Sequence, residues 1–187
     1  MRRSRPFAVA AAVLGVAGFT AAATVAGDQK RDFDTDLNGF EEVPSVSTTG
    51  GGQVDAAVNR AGTELRYTLR YRNLEGAVSQ SHIHFGEEHT NGGIVVFLCT
   101  NLGNGPVGRT VPPCPPPPAT VEGVLTADDV STAAASAGAR TQGIAEREFA
   151  ELVRAMRAGA TYANVHSDRW PGGEIRGQFD HEQGHED

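Results

Sequence analysis

The sequence is short of positive charge. Its 187 residues contain 16 lysines and arginines against 23 aspartates and glutamates, which gives a formal net charge of −7. A nucleic-acid-binding protein needs a basic surface to neutralise phosphates, and a protein that docks on an anionic bilayer needs the same. We therefore expect neither nucleic acid nor an anionic membrane surface as a partner.

The sequence also lacks an apolar run of the roughly 20 residues that a membrane-spanning helix requires. Its longest apolar stretch is residues 7–19, which follows three arginines in residues 1–5 and precedes an alanine-rich segment. A basic start, a short apolar centre and small residues at the end are typical of a secretory signal peptide. We predict a signal peptide in residues 1–26, cleaved after Ala23 or Ala26, and a secreted or extracytoplasmic protein without a stable membrane span. An uncleaved N-terminal anchor is the alternative.

Cysteine is scarce as well, with only Cys99 and Cys114 in the chain. Both follow the predicted signal peptide, and disulfides persist in exported proteins. The segment between them is rich in proline and glycine and has no other evident source of order. We predict a Cys99–Cys114 disulfide rather than two free thiols.

Short segments of alternating polarity dominate the rest of the chain. Residues 64–74 alternate leucine and tyrosine with arginine and threonine, which predicts a strand with one buried face. Further strand signals, separated by glycine and proline turns, occur at residues 33–42, 53–59, 79–85, 94–98, 119–125, 161–166 and 174–179. This pattern predicts an all-β fold, specifically an immunoglobulin-like antiparallel β-sandwich with one short helical insertion.

The helical insertion is predicted at residues 144–158, where apolar side chains recur at helical spacing and Gly159 follows as a stop signal. Residues 133–143 are small and predict a loop. We interpret residues 27–32 as a linker, residues 33–179 as the domain, and residues 180–187 as a disordered acidic tail that carries two histidines.

Three segments, taken in order, resemble one family. They are LNGFEEVP at residues 37–44, SHIHFG at 81–86 with NGG at 91–93, and GATYANVHS at 159–167 with PGGEIRGQ at 171–178. Together they resemble the CHRD (chordin) domain over residues 33–179, with Ser45 and Ser167 as small departures. The resemblance implies an immunoglobulin-like sandwich in a single-domain, secreted protein of the bacterial type, and it implies no particular chemistry.

The histidines carry the site hypothesis. His82 and His84 lie two residues apart on a predicted strand, so both side chains point to one face. Asn164 and His166 share a face of the predicted strand 161–166 in the same way. If the two strands are neighbours, the three imidazoles converge on one patch, and three imidazoles on a rigid face suit Cu²⁺ or Zn²⁺.

Two uses of this patch stay open. In the first, a structural polar network holds the strands together; its members would be His82, His84, Asn164, His166, Glu174 and Arg176. This use favours a non-enzymatic extracytoplasmic binding or structural module without a cofactor, whose partner is an unknown extracellular protein or small ligand. In the second, the three histidines bind Cu or Zn, with a superoxide-dismutase-like activity as its enzymatic form. We find no nucleophile motif or acid pair in the sequence, and we predict that the protein is not an enzyme.

Overall fold

The structure is a computed structural model that describes residues 29–180. The predicted signal peptide and all of the predicted tail beyond Asp180 lie outside the described residues. Eight strands form the fold: β1 (Asp32–Asn38), β2 (Gly51–Val58), β3 (Leu65–Arg72), β4 (Val78–Phe85), β5 (Gly93–Thr100), β6 (Ala119–Leu125), β7 (Thr161–Ser167) and β8 (Ile175–Gln178). The all-β prediction is confirmed.

All eight strands belong to one antiparallel sheet in the order β5-β4-β7-β8-β1-β2-β3-β6. Strands β5 and β6, at the two ends of the sheet, lie against each other, which shows that the sheet folds round on itself. The Tyr67 hydroxyl of β3 donates to the Leu98 carbonyl of β5 across this closure. The two halves thus enclose one core, as the layers of a sandwich do.

The alternation seen in the sequence decides which side chains reach this core. In β3, Leu65, Tyr67, Leu69 and Tyr71 are buried. On the other half of the sheet, Ile83 of β4, Val165 of β7 and Ile175 of β8 belong to the same core. The opposite face of β4, β7 and β8 is therefore left for the polar residues of the candidate site.

The insertion between β6 and β7 contains more helix, in shorter pieces, than the sequence predicted. A 3₁₀ turn (Ala134–Ser136) and helix α1 (Ala137–Thr141) occupy the segment that was predicted as a loop. The Arg140 guanidinium donates to the Ser131 and Ala133 carbonyls, a tertiary contact that no periodicity reveals. Helix α2 (Phe149–Arg157) begins later than residue 144, because Arg147 takes a positive φ of 66° that no helix tolerates.

The chain before β1 is partly held by the domain. Asp32, the end of the predicted linker 27–32, already belongs to β1. The Arg157 guanidinium at the end of α2 donates to the Lys30 carbonyl over 2.9 Å. No helix within residues 29–180 combines the length and the apolar character needed to cross a bilayer.

The predicted disulfide is confirmed. Cys99 at the end of β5 is bonded to Cys114, with the two Cα atoms 5.1 Å apart and both side chains buried. Asn101 supports the bridge, since its side chain accepts from the Cys114 amide and donates to the Cys114 carbonyl. The Tyr71 hydroxyl donates to the Pro115 carbonyl just beyond it. The bridge and these bonds fix a loop without secondary structure to the sheet.

We expect the Cys99→Ala/Cys114→Ala variant to lose about 3 kcal/mol of unfolding free energy, because the bridge closes a 15-residue separation in the unfolded chain. Urea denaturation followed by circular dichroism measures the loss. Reductant should destabilise the wild type by a similar amount and leave the double variant unaffected. Equal stability of the two proteins would show that the loop needs no cross-link.

Candidate metal centre

The site is built on the antiparallel pairing of β4 with β7. The register places His82 opposite Asn164, His84 opposite Tyr162, and Gln80 opposite His166. Paired residues share a face of a sheet, so the three imidazoles project together while Ile83 and Val165 enter the core. The prediction that these two segments are neighbouring strands is confirmed.

The three rings lie within reach of one another. His82 Nδ1 is 3.2 Å from His166 Nε2, and one nitrogen from each of His82, His84 and His166 lies within 4.8 Å of the others. Two nitrogens bound to one tetrahedral ion at about 2.05 Å are about 3.3 Å apart. The three rings are therefore close enough to share one ion if the widest pair of these nitrogens closes by at most about 1.5 Å.

Backbone carbonyls fix the tautomers of two of the rings. His84 Nδ1 faces the Gly92 carbonyl at 2.9 Å, and His166 Nδ1 faces the Pro171 carbonyl at 2.9 Å. A carbonyl oxygen only accepts, so each Nδ1 carries the proton and each Nε2 carries a lone pair. Metal-binding histidines are oriented in this way, with the second ring nitrogen bonded to a carbonyl or a carboxylate.

The third ring completes the hydrogen-bond pattern. Because His166 Nε2 carries a lone pair, His82 Nδ1 donates to it, and His82 Nε2 is left as an acceptor. This Nε2 atom is buried and has no hydrogen-bond partner among the described residues. Three lone pairs, one from each ring, therefore lie inside a single buried cluster.

Burial keeps the imidazoles neutral. It lowers the pKa of His84 to about 4, with the neighbouring His166 acting in the same direction against the hydrogen bond to Gly92. Burial also lowers the pKa of His82, helped by His166 and His84, and the pKa of His166. Neutral imidazole is the form that binds a metal ion.

Aromatic and cationic groups cover the cluster. Tyr162 stacks on His84 with ring centroids 4.7 Å apart, and the Arg176 guanidinium lies 3.4 Å from the Tyr162 ring centroid. Arg176 also donates to the carbonyls of Thr90 and Glu87 in the loop before β5. The loop that supplies the Gly92 carbonyl is thus tied to β8 by a buried arginine.

The predicted polar network divides into two parts. His82, His84, Asn164 and His166 form one cluster of polar contacts, with a hydrogen bond between His82 and His166 and Asn164 Oδ1 3.1 Å from His84 Nε2, and Arg176 joins it through Tyr162. Glu174 is buried, but its Oε1 accepts from the Thr48 hydroxyl and from the Glu75 amide. Glu174 therefore fastens two loops to β8 instead of bonding to a histidine.

Sequence reasoning missed Glu42. Its carboxyl group is 5 % exposed, and its Oε1 has no hydrogen-bond partner among residues 29–180. Gly173 makes room for it, since a Cβ there would lie 2.2 Å from Oε1. Burial raises the pKa of Glu42 to about 7, against the opposing effects of Arg176, the Val43 amide and the Asn164 side chain. In the sequence Glu42 is one of two adjacent glutamates and has no feature that singles it out. Only its tertiary contact with β7 and β8 distinguishes it.

These observations define the class of protein. It is an antiparallel β-sandwich with a cluster of three buried histidines on the face of the sheet that points away from the apolar core. The family model of the CHRD domain matches residues 33–179, which is most of the chain. The chain belongs to the CHRD domain family, as the three sequence segments indicated. No significant match was found among curated proteins or among solved structures.

The raised pKa of Glu42 predicts a stability difference that depends on pH. The folded state holds the Glu42 proton up to about pH 7, whereas the unfolded state releases it near 4.5. Glu42 therefore lowers stability as pH rises from 4.5 through 7, and the cost is complete above 7. Glu42→Gln avoids this cost. Its unfolding free energy relative to wild type should therefore increase by about 2–3 kcal/mol as the pH is raised from 5 to 8.

Urea denaturation in the presence of a chelator, repeated at each pH, measures this difference. The comparison at equal pH cancels the contribution of the histidines. Glu41→Gln is the matched control, because Glu41 is the exposed neighbour of Glu42, and this variant should not reproduce the Glu42→Gln difference. A Glu42→Gln difference that is the same at pH 5 and pH 8 would contradict the raised pKa.

Proposed function

We propose that this protein is an exported, non-enzymatic binding module, and that its ligand is a single copper or zinc ion held by His82, His84 and His166. The observation that carries the proposal is the pair of carbonyl bonds to Nδ1 of His84 and Nδ1 of His166. These bonds leave Nε2 of both rings with a lone pair, and one ring nitrogen from each of the three histidines lies within 4.8 Å of the others.

The choice of metal follows from the donor atoms. Three neutral imidazoles suit Cu and Zn, whereas Ca²⁺ and Mg²⁺ take oxygen ligands. The general order of affinity among divalent first-row metals favours Cu²⁺ over Zn²⁺ at a nitrogen site. The supply of metal in the exported compartment would then decide which ion the protein carries.

The burial of the three histidines supports a role in binding the metal ion rather than in catalysis. The three histidines are 0 %, 7 % and 6 % exposed, beneath the loop tied down by Arg176. A catalytic metal keeps an open coordination position that a substrate can reach. A superoxide-dismutase-like activity would need such a position, so we favour binding without catalysis.

Export is supported by two features of the chain. Residues 1–26 have the basic, apolar and small-residue order of a signal peptide. The Cys99–Cys114 bridge belongs to an oxidising compartment, because cytoplasmic thiols are kept reduced.

Purified protein titrated with Zn²⁺ or Cu²⁺ against a chromophoric chelator should bind one ion per chain with a Kd of micromolar or lower. His82→Gln, His84→Gln and His166→Gln should each weaken binding by at least about 100-fold, the upper limit for loss of a second-shell partner. Metal at 100 times its Kd should raise the unfolding free energy of wild type by about 2.7 kcal/mol.

Two controls separate this site from the other histidines. His89→Gln removes an exposed loop histidine, and the double variant His181→Gln/His185→Gln removes the two in the tail. Both controls should bind as wild type does. A wild type that binds no metal, together with triad variants that fail to fold, would favour a purely structural polar network.

Export is tested at the N-terminus. When the full chain is expressed in a secreting host, mass spectrometry of the extracytoplasmic protein should show a first residue directly after Ala23 or Ala26. Retention of Met1 on membrane-bound protein would instead indicate an uncleaved anchor.

A further inference from the structure

Asn164 lies between the candidate metal ligands and Glu42. Its side chain is 2 % exposed, and its Oδ1 is 3.1 Å from His84 Nε2. Its amide group is directed to Glu42, where it favours the carboxylate form. One side chain thus contacts both a proposed metal ligand and a buried acid.

The orientation of this amide does not suit neutral, metal-free histidine. His84 Nε2 carries a lone pair, because Nδ1–H donates to Gly92, and the Asn164 Oδ1 that faces Nε2 also only accepts. Two acceptors at 3.1 Å repel each other, whereas a cation bound at Nε2 removes the conflict. The reversed amide fills the same volume and donates Nδ2–H to Nε2 instead.

Reversal of the amide changes what Glu42 must provide. With Nδ2 turned to His84, Oδ1 faces Glu42 and requires a donor, which the protonated carboxyl supplies and the carboxylate does not. With Oδ1 turned to His84, Nδ2–H faces Glu42 and favours the carboxylate. Each state of the amide is consistent with one state of the metal site and one state of the acid.

We propose that Glu42 is the counter-charge of the metal site and acts through Asn164: a divalent cation binds at the histidines while Glu42 gives up its proton and the amide turns. This inference rests on the proposed metal-binding function. The proton passes to solvent, the His84 lone pair passes from Asn164 Nδ2–H to the ion, and the net charge added to the buried cluster is +1 instead of +2. Glu42 is a positioning residue and not a ligand.

The charges around Glu42 fit this role. Arg176 of β8 acts on it as a cation, and the Tyr162 phenol of β7 is the other titratable group from the sheet that interacts with it. On its own segment the adjacent acid, Glu41, is exposed. Burial is the largest influence on Glu42, raising its pKa, so an added cation has a proton to displace near neutral pH.

Calorimetric titration with Zn²⁺ in two buffers of different ionisation enthalpy counts the protons released. At pH 6.0 wild type and Glu41→Gln should release about one proton more than Glu42→Gln, and the difference should vanish at pH 8.5. Zn²⁺ affinity of wild type should rise about tenfold between pH 6 and pH 8, following the ionised fraction of Glu42. The affinity of Glu42→Gln should rise less, because no proton is displaced at position 42.

A second measurement needs no variant. Carbon NMR of the labelled Glu42 carboxyl in wild type should show its titration midpoint falling when Zn²⁺ is added. If Zn²⁺ binds with equal proton release in wild type and Glu42→Gln, or leaves the Glu42 midpoint unchanged, the counter-charge role is overturned while the metal site stands. If wild type binds no Zn²⁺ or Cu²⁺, both proposals are overturned.

Discussion

The register between β4 and β7 is the constraint on which the site depends. It sets His82 opposite Asn164 and Gln80 opposite His166, so that imidazoles from two strands meet on one face. A slip of one residue would exchange the two faces of β4, placing the histidines in the apolar core and Ile83 outside it. The same aliphatic residues that form the core therefore hold the polar cluster in register.

Sequence periodicity was sufficient for this part of the structure. Alternation of apolar and polar residues in β3, β4 and β7 predicted strands and assigned their faces. The disulfide could be predicted because the chain contains only two cysteines. Residues 133–143 could not be assigned in the same way, because α1 depends on Arg140 donating to carbonyls of a neighbouring turn. Helix and strand signals are local, whereas this helix is stabilised by a tertiary contact.

The candidate site divides in the same manner. The three histidines could be chosen from their spacing, since a strand obliges residues two apart to share a face. Glu42 and the carbonyls of Gly92 and Pro171 could not, because they come from loops whose paths no periodicity describes. Glu174 shows the opposite case, because its position two residues from Arg176 suggested a shared network with the histidines. Strand β8 begins only at Ile175, and the Glu174 carboxylate accepts from Thr48 and Glu75 instead.

The hydrogen bonds of the histidine cluster bear on the proposed metal-binding function. Most buried polar groups in folded proteins are hydrogen-bonded, because an unpaired group costs about 1–3 kcal/mol. Within the described part of the chain, His82 Nε2 and Glu42 Oε1 are among seven buried side-chain atoms without a hydrogen-bond partner, and an acceptor of Asn164 faces an acceptor of His84. Under the proposed metal-binding function, a cation among the imidazoles would remove the conflict at His84 and give the Glu42 carboxylate a favourable charge nearby.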